Sequence, residues 1–160
     1  MKKFLSIVLI VVIVALINAC SYQFNKDGLT GLETNASILS YEDCGLFINQ
    51  ERINTNEVGV GQEVECVFLG VSGFKQEDGM CYIGASMILT DKNNNEVFNE
   101  ADLFAHYDDE GLSPEDASNL TLKLITGSPM VAGENYIWSM RIWDKRSEGE
   151  ITSKVTVKLK

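Results

Sequence analysis

The feature that most restricts the fold is a series of short apolar alternations separated by turn-forming residues. Every second residue is apolar within 64–68, within 81–89 and again within 136–142. Successive side chains of a β-strand point to opposite faces, so a period of two predicts strands with one buried face. Short strands that are repeatedly interrupted by turns are typical of a sandwich or barrel. We therefore expect an all-β fold.

The last thirty residues carry the strongest version of this pattern. A turn at Gly133 precedes a strand whose inner face has Tyr136, Trp138, Met140 and Ile142, and a charged turn at 145–150 leads to a closing strand at 151–160. This arrangement resembles the final hairpin of bacterial immunoglobulin-like domains. The resemblance implies an antiparallel β-sandwich of about seven to nine strands, with Tyr136 in a tyrosine corner, its ring in the core and its hydroxyl on the backbone.

Local signals add the connecting elements. Two further strands are expected at 37–41 and 45–49, and the DKNNNE segment at 91–96 predicts a hairpin turn, because Asp and Asn tolerate left-handed backbone conformations. Ser113 followed by Pro114 and two acids predicts the start of one short helix, with the serine as its N-cap.

The N-terminus predicts a lipoprotein signal peptide over residues 1–19. Two lysines precede an apolar run from Phe4 to Ile17, and Ala19 and Cys20 follow, which is the charged, apolar, small order of a secretory signal. The segment LINAC resembles the lipobox of bacterial lipoproteins. That resemblance implies cleavage before Cys20 and lipid on its sulfur and amino group. The alternative is an ordinary signal peptide that ends in a chance cysteine.

The remainder divides into a polar tether at 20–35 and a sandwich domain at 36–160. A chain anchored through Cys20 is expected in the cell envelope, facing the periplasm or the cell surface. Ser21 is not the aspartate that retains lipoproteins at the inner membrane of enteric-type bacteria, which favours the outer membrane.

Charge limits the partners. The formal charge is −10, and removal of residues 1–19, which hold two lysines and no acid, takes it to −12. Such a surface repels phosphate backbones, so we expect no nucleic-acid partner.

After lipidation, Cys44, Cys66 and Cys81 remain. Cys66 and Cys81 flank a loop almost symmetrically, which makes a disulfide between them conceivable, but three buried thiols fit the count equally well. The spacings lack the paired cysteines of a zinc site.

Trp143, with Arg141 on the same strand face, is the best candidate for a binding surface. An open tryptophan stacks on a sugar ring or anchors a protein partner. We therefore expect a noncatalytic envelope module without a cofactor, whose partner is an envelope protein or a glycan.

Two alternatives belong to other classes. Asp91, Asn93, Asn95 and Asp102 occupy positions one, three, five and twelve of a calcium loop, as a calcium-dependent adhesive domain would need, although Glu96 stands where that loop requires glycine. A glycan- or peptide-directed enzyme would use a carboxylate pair from 108–110 and 115–116, or the single histidine, His106. A deep cleft with facing acids would favour the enzyme, and an exposed aromatic strip the binding module.

Overall fold

The computed structural model describes residues 22–160 as two packed β-sheets. The larger sheet has seven strands and the smaller has four. The predicted signal peptide at 1–19 and the predicted lipidation site Cys20 lie outside the described residues. The domain is an all-β, immunoglobulin-like sandwich with one short α-helix, as the sequence predicts.

The seven-stranded sheet is antiparallel apart from the short strand β5. In spatial order it contains β1 (Tyr22–Lys26), β2 (Glu33–Ser37), β13 (Glu150–Leu159), β12 (Asn135–Asp144), β9 (Ile83–Asp91) and β10 (Glu96–Glu100), with β5 (Glu57–Val58) parallel to the end of β13.

The four-stranded sheet and the connections complete the chain. The sheet order is β11 (Asn119–Ile125), β6 (Glu63–Leu69), β3 (Asp43–Ile48) and β4 (Glu51–Arg52). The short strands β7 (Gln76–Glu77) and β8 (Met80–Cys81) form a separate hairpin, and a 3-10 turn (Ala105–Tyr107) precedes the helix α1 (Pro114–Ala117). No helix within residues 22–160 is long and apolar enough to cross a membrane.

The core lies between the sheets, where every second residue of the long strands is buried. Trp138 and Ile142 of β12 are fully enclosed, as are Phe68 of β6 and Leu89 of β9. Each such side chain contributes about 1.5 to 3 kcal/mol to the stability of the fold through burial alone. Burial of the alternating apolar side chains is therefore the principal source of stability.

The final hairpin is confirmed in detail. Strands β12 and β13 pair over nine residues, from Asn135 opposite Lys158 to Trp143 opposite Glu150. The Tyr136 side chain is buried, and its hydroxyl accepts a hydrogen bond of 2.7 Å from the backbone N–H of Val131. This is the tyrosine corner that the resemblance implied.

The turn between β12 and β13 is closed by a buried carboxylate. Asp144 is 2% exposed, and it accepts hydrogen bonds from the backbone N–H of Lys75 at 2.7 Å, the N–H of Arg146 at 2.8 Å and the Ser147 hydroxyl at 2.6 Å. These donors satisfy a charge whose burial would otherwise be costly. The same carboxylate joins the hairpin to the loop before β7.

The predicted turn and helix cap are also present. Asp91 Oδ1 accepts hydrogen bonds from the backbone N–H groups of Asn93 and Asn95, and this closes the β9–β10 hairpin. Ser113 Oγ accepts from the backbone N–H of Asp116 at 3.1 Å, as an N-cap does.

Two predictions at the start of the domain are wrong. The expected tether contains β1 and β2, and β2 pairs with β13 from Glu33 to Ser37, so the described fold begins at residue 22. The expected strand at 37–41 is a crossover between the sheets, because Ile38 has a positive φ of 65° that ends the ladder. Leu39 and Tyr41 are buried, so the apolar alternation there reflects burial without a strand. The two-residue strands β4, β5, β7 and β8 also raise the number of strands above the expected nine.

Candidate functional site

The outer face of the seven-stranded sheet is formed by the side chains that point away from the core. Register places Phe24, Asn35, Thr152, Arg141 and Ser86 in one row across five strands. Adjacent strands lie about 4.8 Å apart, so the row extends over roughly 19 Å. Polar side chains therefore cross the middle of the sheet in a line that starts at an exposed aromatic ring.

Trp143 lies in the next row, against the backbone of β9. A Cβ atom at Gly84 would lie 2.2 Å from the Trp143 ring atoms, so only glycine allows the ring to lie this close to the strand. The Arg141 guanidinium is 5.1 Å from the ring centroid, and its Nε donates to Glu150 Oε2 at 2.8 Å. The predicted pair is thus brought together, with the ring half-buried and the guanidinium held between ring and carboxylate.

An open depression of about 380 Å³ lies over the first of these rows. Its wall includes hydroxyl, amide and charged side chains from β2, β9, β12 and β13, among them Asn35, Ser86, Arg141, Thr152 and Lys154. The surface can therefore offer hydrogen-bond donors and acceptors together.

Two ion pairs and the additional cation Lys154 lie on this face, in contrast to the strongly acidic chain as a whole. Lys26 Nζ lies 2.8 Å from Glu33 Oε1, and this hydrogen bond holds the pKa of Glu33 below its usual value. Arg141 and Glu150 form the second pair. A nearly balanced patch suits a neutral or weakly charged ligand better than a polyanion.

Two aromatic residues of this face escaped the sequence analysis. Tyr22 is 70% exposed and Phe24 is 59% exposed, and both project from β1 beside Asn35. The Tyr22 hydroxyl donates to Asn35 Oδ1 at 2.8 Å. Their spacing of two residues was the available signal, but the intervening Gln23 and the polar sequence that follows made the segment resemble a tether.

The four residues of the calcium alternative are not assembled. Asp91 closes the hairpin at the end of β9, where Asn95 Nδ2 also donates to its second oxygen at 2.8 Å. Asp102 accepts a hydrogen bond from the backbone N–H of Ala85, which lies on β9 six residues before Asp91. Six residues of strand span roughly 20 Å, so Asp102 and Asp91 are held far apart. Since the flanking elements are strands, the geometry of a calcium loop is absent here. Within residues 22–160, no three His, Cys, Asp or Glu side chains cluster as metal ligands.

The residues of the carboxylate alternative are spread over the surface. His106 stacks on Tyr107 with ring centroids 4.0 Å apart in the exposed 3-10 turn. Asp108 pairs with Lys145, which also contacts Asp102 at 2.6 Å. Asp116 accepts a hydrogen bond of 2.6 Å from the Ser113 hydroxyl at the helix cap. Asp108 and Asp116 thus have structural partners, and Asp109, Glu110 and Glu115 are exposed.

Of the two alternatives for the cysteines, the structure has the three buried thiols and not a Cys66–Cys81 disulfide. Cys66 lies on β6 of the four-stranded sheet, whereas Cys81 lies on β8 and bridges to Leu112, so the loop between them connects different sheets. All three cysteines are buried thiols, and Cys66 Sγ lies 3.9 Å from Cys44 Sγ.

The comparisons with known proteins assign the chain to no family. No family model matches the chain, and no curated protein does. Among solved structures, the C-terminal domain of wzt matches with a TM-score of 0.48 and 9% identity, covering 89% of this chain and 79% of that one. A superoxide reductase (neelaredoxin) from Ignicoccus hospitalis matches with a TM-score of 0.41 and 8% identity, covering 72% of this chain and 80% of that one.

Proposed function

We propose that this protein is a lipid-anchored binding module of the bacterial cell envelope that holds a glycan on the outer face of its seven-stranded sheet. The observation that carries the proposal is the pair of rows on that face, in which polar side chains lie between the aromatic rings of Phe24 and Trp143. Sugar rings have apolar faces that stack on aromatic side chains and hydroxyls that need hydrogen-bond partners.

Three properties of the face support this ligand. The Trp143 ring is fixed against Gly84 with the Arg141 guanidinium over it, so little conformational freedom is lost when a ligand contacts the part of the ring that stays exposed. Asn35 and Thr152 supply short polar side chains between the rings. The two ion pairs cancel, so Lys154 leaves this face with a small positive balance, whereas the chain carries −10.

The binding proposal is tested with polysaccharide extracted from the envelope of the expressing bacterium, applied to the full chain immobilised in detergent. Trp143→Ala should weaken binding by at least tenfold, since a central aromatic contact commonly contributes more than 1.4 kcal/mol. Thr152→Ala, which leaves the ring in place, should weaken it by about threefold.

A matched control distinguishes specific binding at this face from non-specific adsorption to exposed apolar side chains. Ile125 is 71% exposed on β11 of the other sheet, and Ile125→Ala should leave binding within twofold. Equal losses for Trp143→Ala and Ile125→Ala would contradict the proposed surface. Retention of a protein that is sensitive to Trp143→Ala, with no polysaccharide bound, would replace the glycan by a protein ligand.

The anchor is tested separately, by intact-mass analysis of the membrane fraction beside a Cys20→Ala version. The expected product begins at Cys20 and carries diacylglyceryl and acyl groups, which are absent from the alanine version. An unmodified, soluble product from both versions would remove the lipid anchor from the proposal and leave the binding face to be tested alone.

A further inference from the structure

Two of the three buried thiols form a pair in the middle of the sandwich. On neighbouring strands, Cys44 of β3 lies opposite Phe68 and Cys66 of β6 lies opposite Leu46. The cysteines are therefore diagonal neighbours on the same inner face, with Sγ atoms 3.9 Å apart. Cys81 lies outside this sheet, on the β7–β8 hairpin.

The two thiols differ in access. Cys44 and Thr34 belong to the wall of a polar cavity of about 310 Å³, which also includes Lys26, Asp27 and Arg52. Cys44 retains 6% exposure, whereas Cys66 has none and lies behind it. A reagent that enters the cavity thus reaches Cys44 first.

The surroundings of Cys44 favour its thiolate. A hydrogen bond with the Cys66 thiol is the largest effect and lowers the pKa of Cys44; burial and the Asp43 carboxylate oppose it, and Thr34 and Arg52 lower the pKa further. Thr34 Oγ1 lies 3.7 Å from Cys44 Sγ, and Arg52 Nη2 donates to the Cys44 carbonyl oxygen at 2.8 Å. Complete burial raises the pKa of Cys66.

A glycine allows the arginine to occupy this position. The guanidinium of Arg52 lies against Gly45, where an added Cβ would be 2.8 Å from it, and its Nη1 donates to Asp43 at 2.8 Å. The cation is therefore held beside the strand that carries Cys44.

A second buried polar group lies near the pair. Burial, followed by the charge of Cys44, raises the pKa of Tyr41 to about 12. Among the residues that the structure describes, its hydroxyl has no hydrogen-bond partner. A neutral hydroxyl is thus available close to the sulfur that would carry charge.

We propose that Cys44 and Cys66 are a redox-active thiol pair, with Cys44 as the attacking residue and Cys66 as the resolving residue, that exchanges with disulfide-bearing molecules through this cavity. The Cys44 thiolate attacks one sulfur of the incoming disulfide, and that S–S bond breaks as the other sulfur leaves as a thiolate. Cys66, after losing its proton, then attacks Cys44 Sγ and releases the second thiolate. The incoming disulfide gains two electrons and the two protons lost by the cysteines, and the pair is oxidised to a disulfide.

The bond is expected to be readily reversible. Diagonal positions lie about 7 to 8 Å apart at Cα, which exceeds the separation that most disulfides accept. Closure therefore requires local adjustment of β3 and β6, and a strained disulfide is more easily reduced than a structural one.

The sequence allows direct mapping of this chemistry. Trypsin places the three cysteines in separate peptides, with Cys44 in 27–52, Cys66 in 53–75 and Cys81 in 76–92. The full chain in detergent is equilibrated with oxidised glutathione, its remaining thiols are alkylated, and the digest is analysed by mass spectrometry. We expect peptides 27–52 and 53–75 to be joined, and Cys81 to be alkylated.

Variants separate the two roles. Cys66→Ser should trap Cys44 as a mixed disulfide with glutathione, Cys44→Ser should leave Cys66 unreacted, and the control Cys81→Ser should behave as the wild type. For a readout that needs no variant, alkylation of the native chain should modify Cys44 at least tenfold faster than Cys81. Comparable rates at both sites, or oxidation without a 27–52 to 53–75 link, would overturn the proposal.

Discussion

Two hairpins of the seven-stranded sheet are held in different ways. Strands β12 and β13 have ten residues each, and every second side chain is buried in the core. Strands β1 and β2 have five residues each, and only Thr34 and Ala36 are buried. The β12–β13 hairpin is stabilised by its side chains, and the β1–β2 hairpin mainly by its backbone ladder to β13. A search for apolar periodicity therefore detects β12–β13 and overlooks β1–β2.

The largest test of this contrast is at the centre of β12. Trp138 is fully buried, so Trp138→Ala should lower the free energy of unfolding by about 3 to 5 kcal/mol, measured by denaturant titration. Ile137→Ala, on the opposite face of the same strand, is the control and should cost about 1 kcal/mol. Similar losses at both positions would mean that the core face does not dominate.

The turn of the same hairpin should show the next effect. Asp144→Asn keeps the shape of the side chain but replaces one accepting oxygen by a donor that faces other donors. We expect a loss of about 2 to 3 kcal/mol in thermal or denaturant unfolding. The exposed Asp109→Asn should change stability by less than about 0.5 kcal/mol. An unchanged Asp144→Asn variant would remove the carboxylate from the account of the turn.

A smaller, local effect is expected at β1. Gln23 holds this strand to the crossover, because its Nε2 donates to the Tyr41 carbonyl oxygen at 3.1 Å and its Oε1 accepts from the Tyr41 N–H at 3.3 Å. Gln23→Ala should raise amide hydrogen exchange in β1 about tenfold and leave β12 unchanged, since edge hairpins open independently of the core.

The control for this experiment is Asn25→Ala, on the same strand, which should leave β1 exchange within twofold. Equal acceleration across β1 and β12 would indicate a single cooperative unit and would weaken the contrast between the hairpins.

The smallest effect concerns the end of β13, where β5 is held by charge. Hydrogen bonds from Lys158 and Lys160 lower the pKa of Glu57 from 4.5 to about 2. A lowered carboxyl pKa contributes stability that is present above pH 4.5 and is lost as pH falls towards 2. The stability difference between wild type and Glu57→Gln should therefore shrink over that interval in thermal unfolding. A difference that stays constant from pH 6 to pH 2 would contradict this ionic hold.

Much of the fold could be predicted because it follows from local chemistry. The burial of Trp138 and Met140, the hydrogen bond of Tyr136 and the cap at Ser113 each have a signal within a few residues of sequence. The crossover at 38–41 was misassigned because its alternation is real, and only the positive φ of Ile38 separates it from a strand.

The candidate sites were less predictable because they depend on long-range register. Arg141 and Trp143 are close in sequence, so their pairing could be expected. Phe24 joins them only through three intervening strand pairings. Cys44 meets Cys66 across a sheet whose strand order no local pattern specifies. Loop symmetry therefore suggested only a possible pairing of Cys66 with Cys81.

The early start of β1 also determines how far the domain could extend from a membrane. Tyr22 opens β1 two residues after Cys20. An extended chain advances by at most about 3.6 Å per residue, so an anchor at Cys20 would leave roughly 7 Å between lipid and fold. With the lipidation proposed above, the domain would lie against the bilayer and would bind ligands only within about one domain diameter of the membrane surface. A ligand would have to reach the membrane surface, because the segment between Cys20 and Tyr22 is too short to act as a flexible tether.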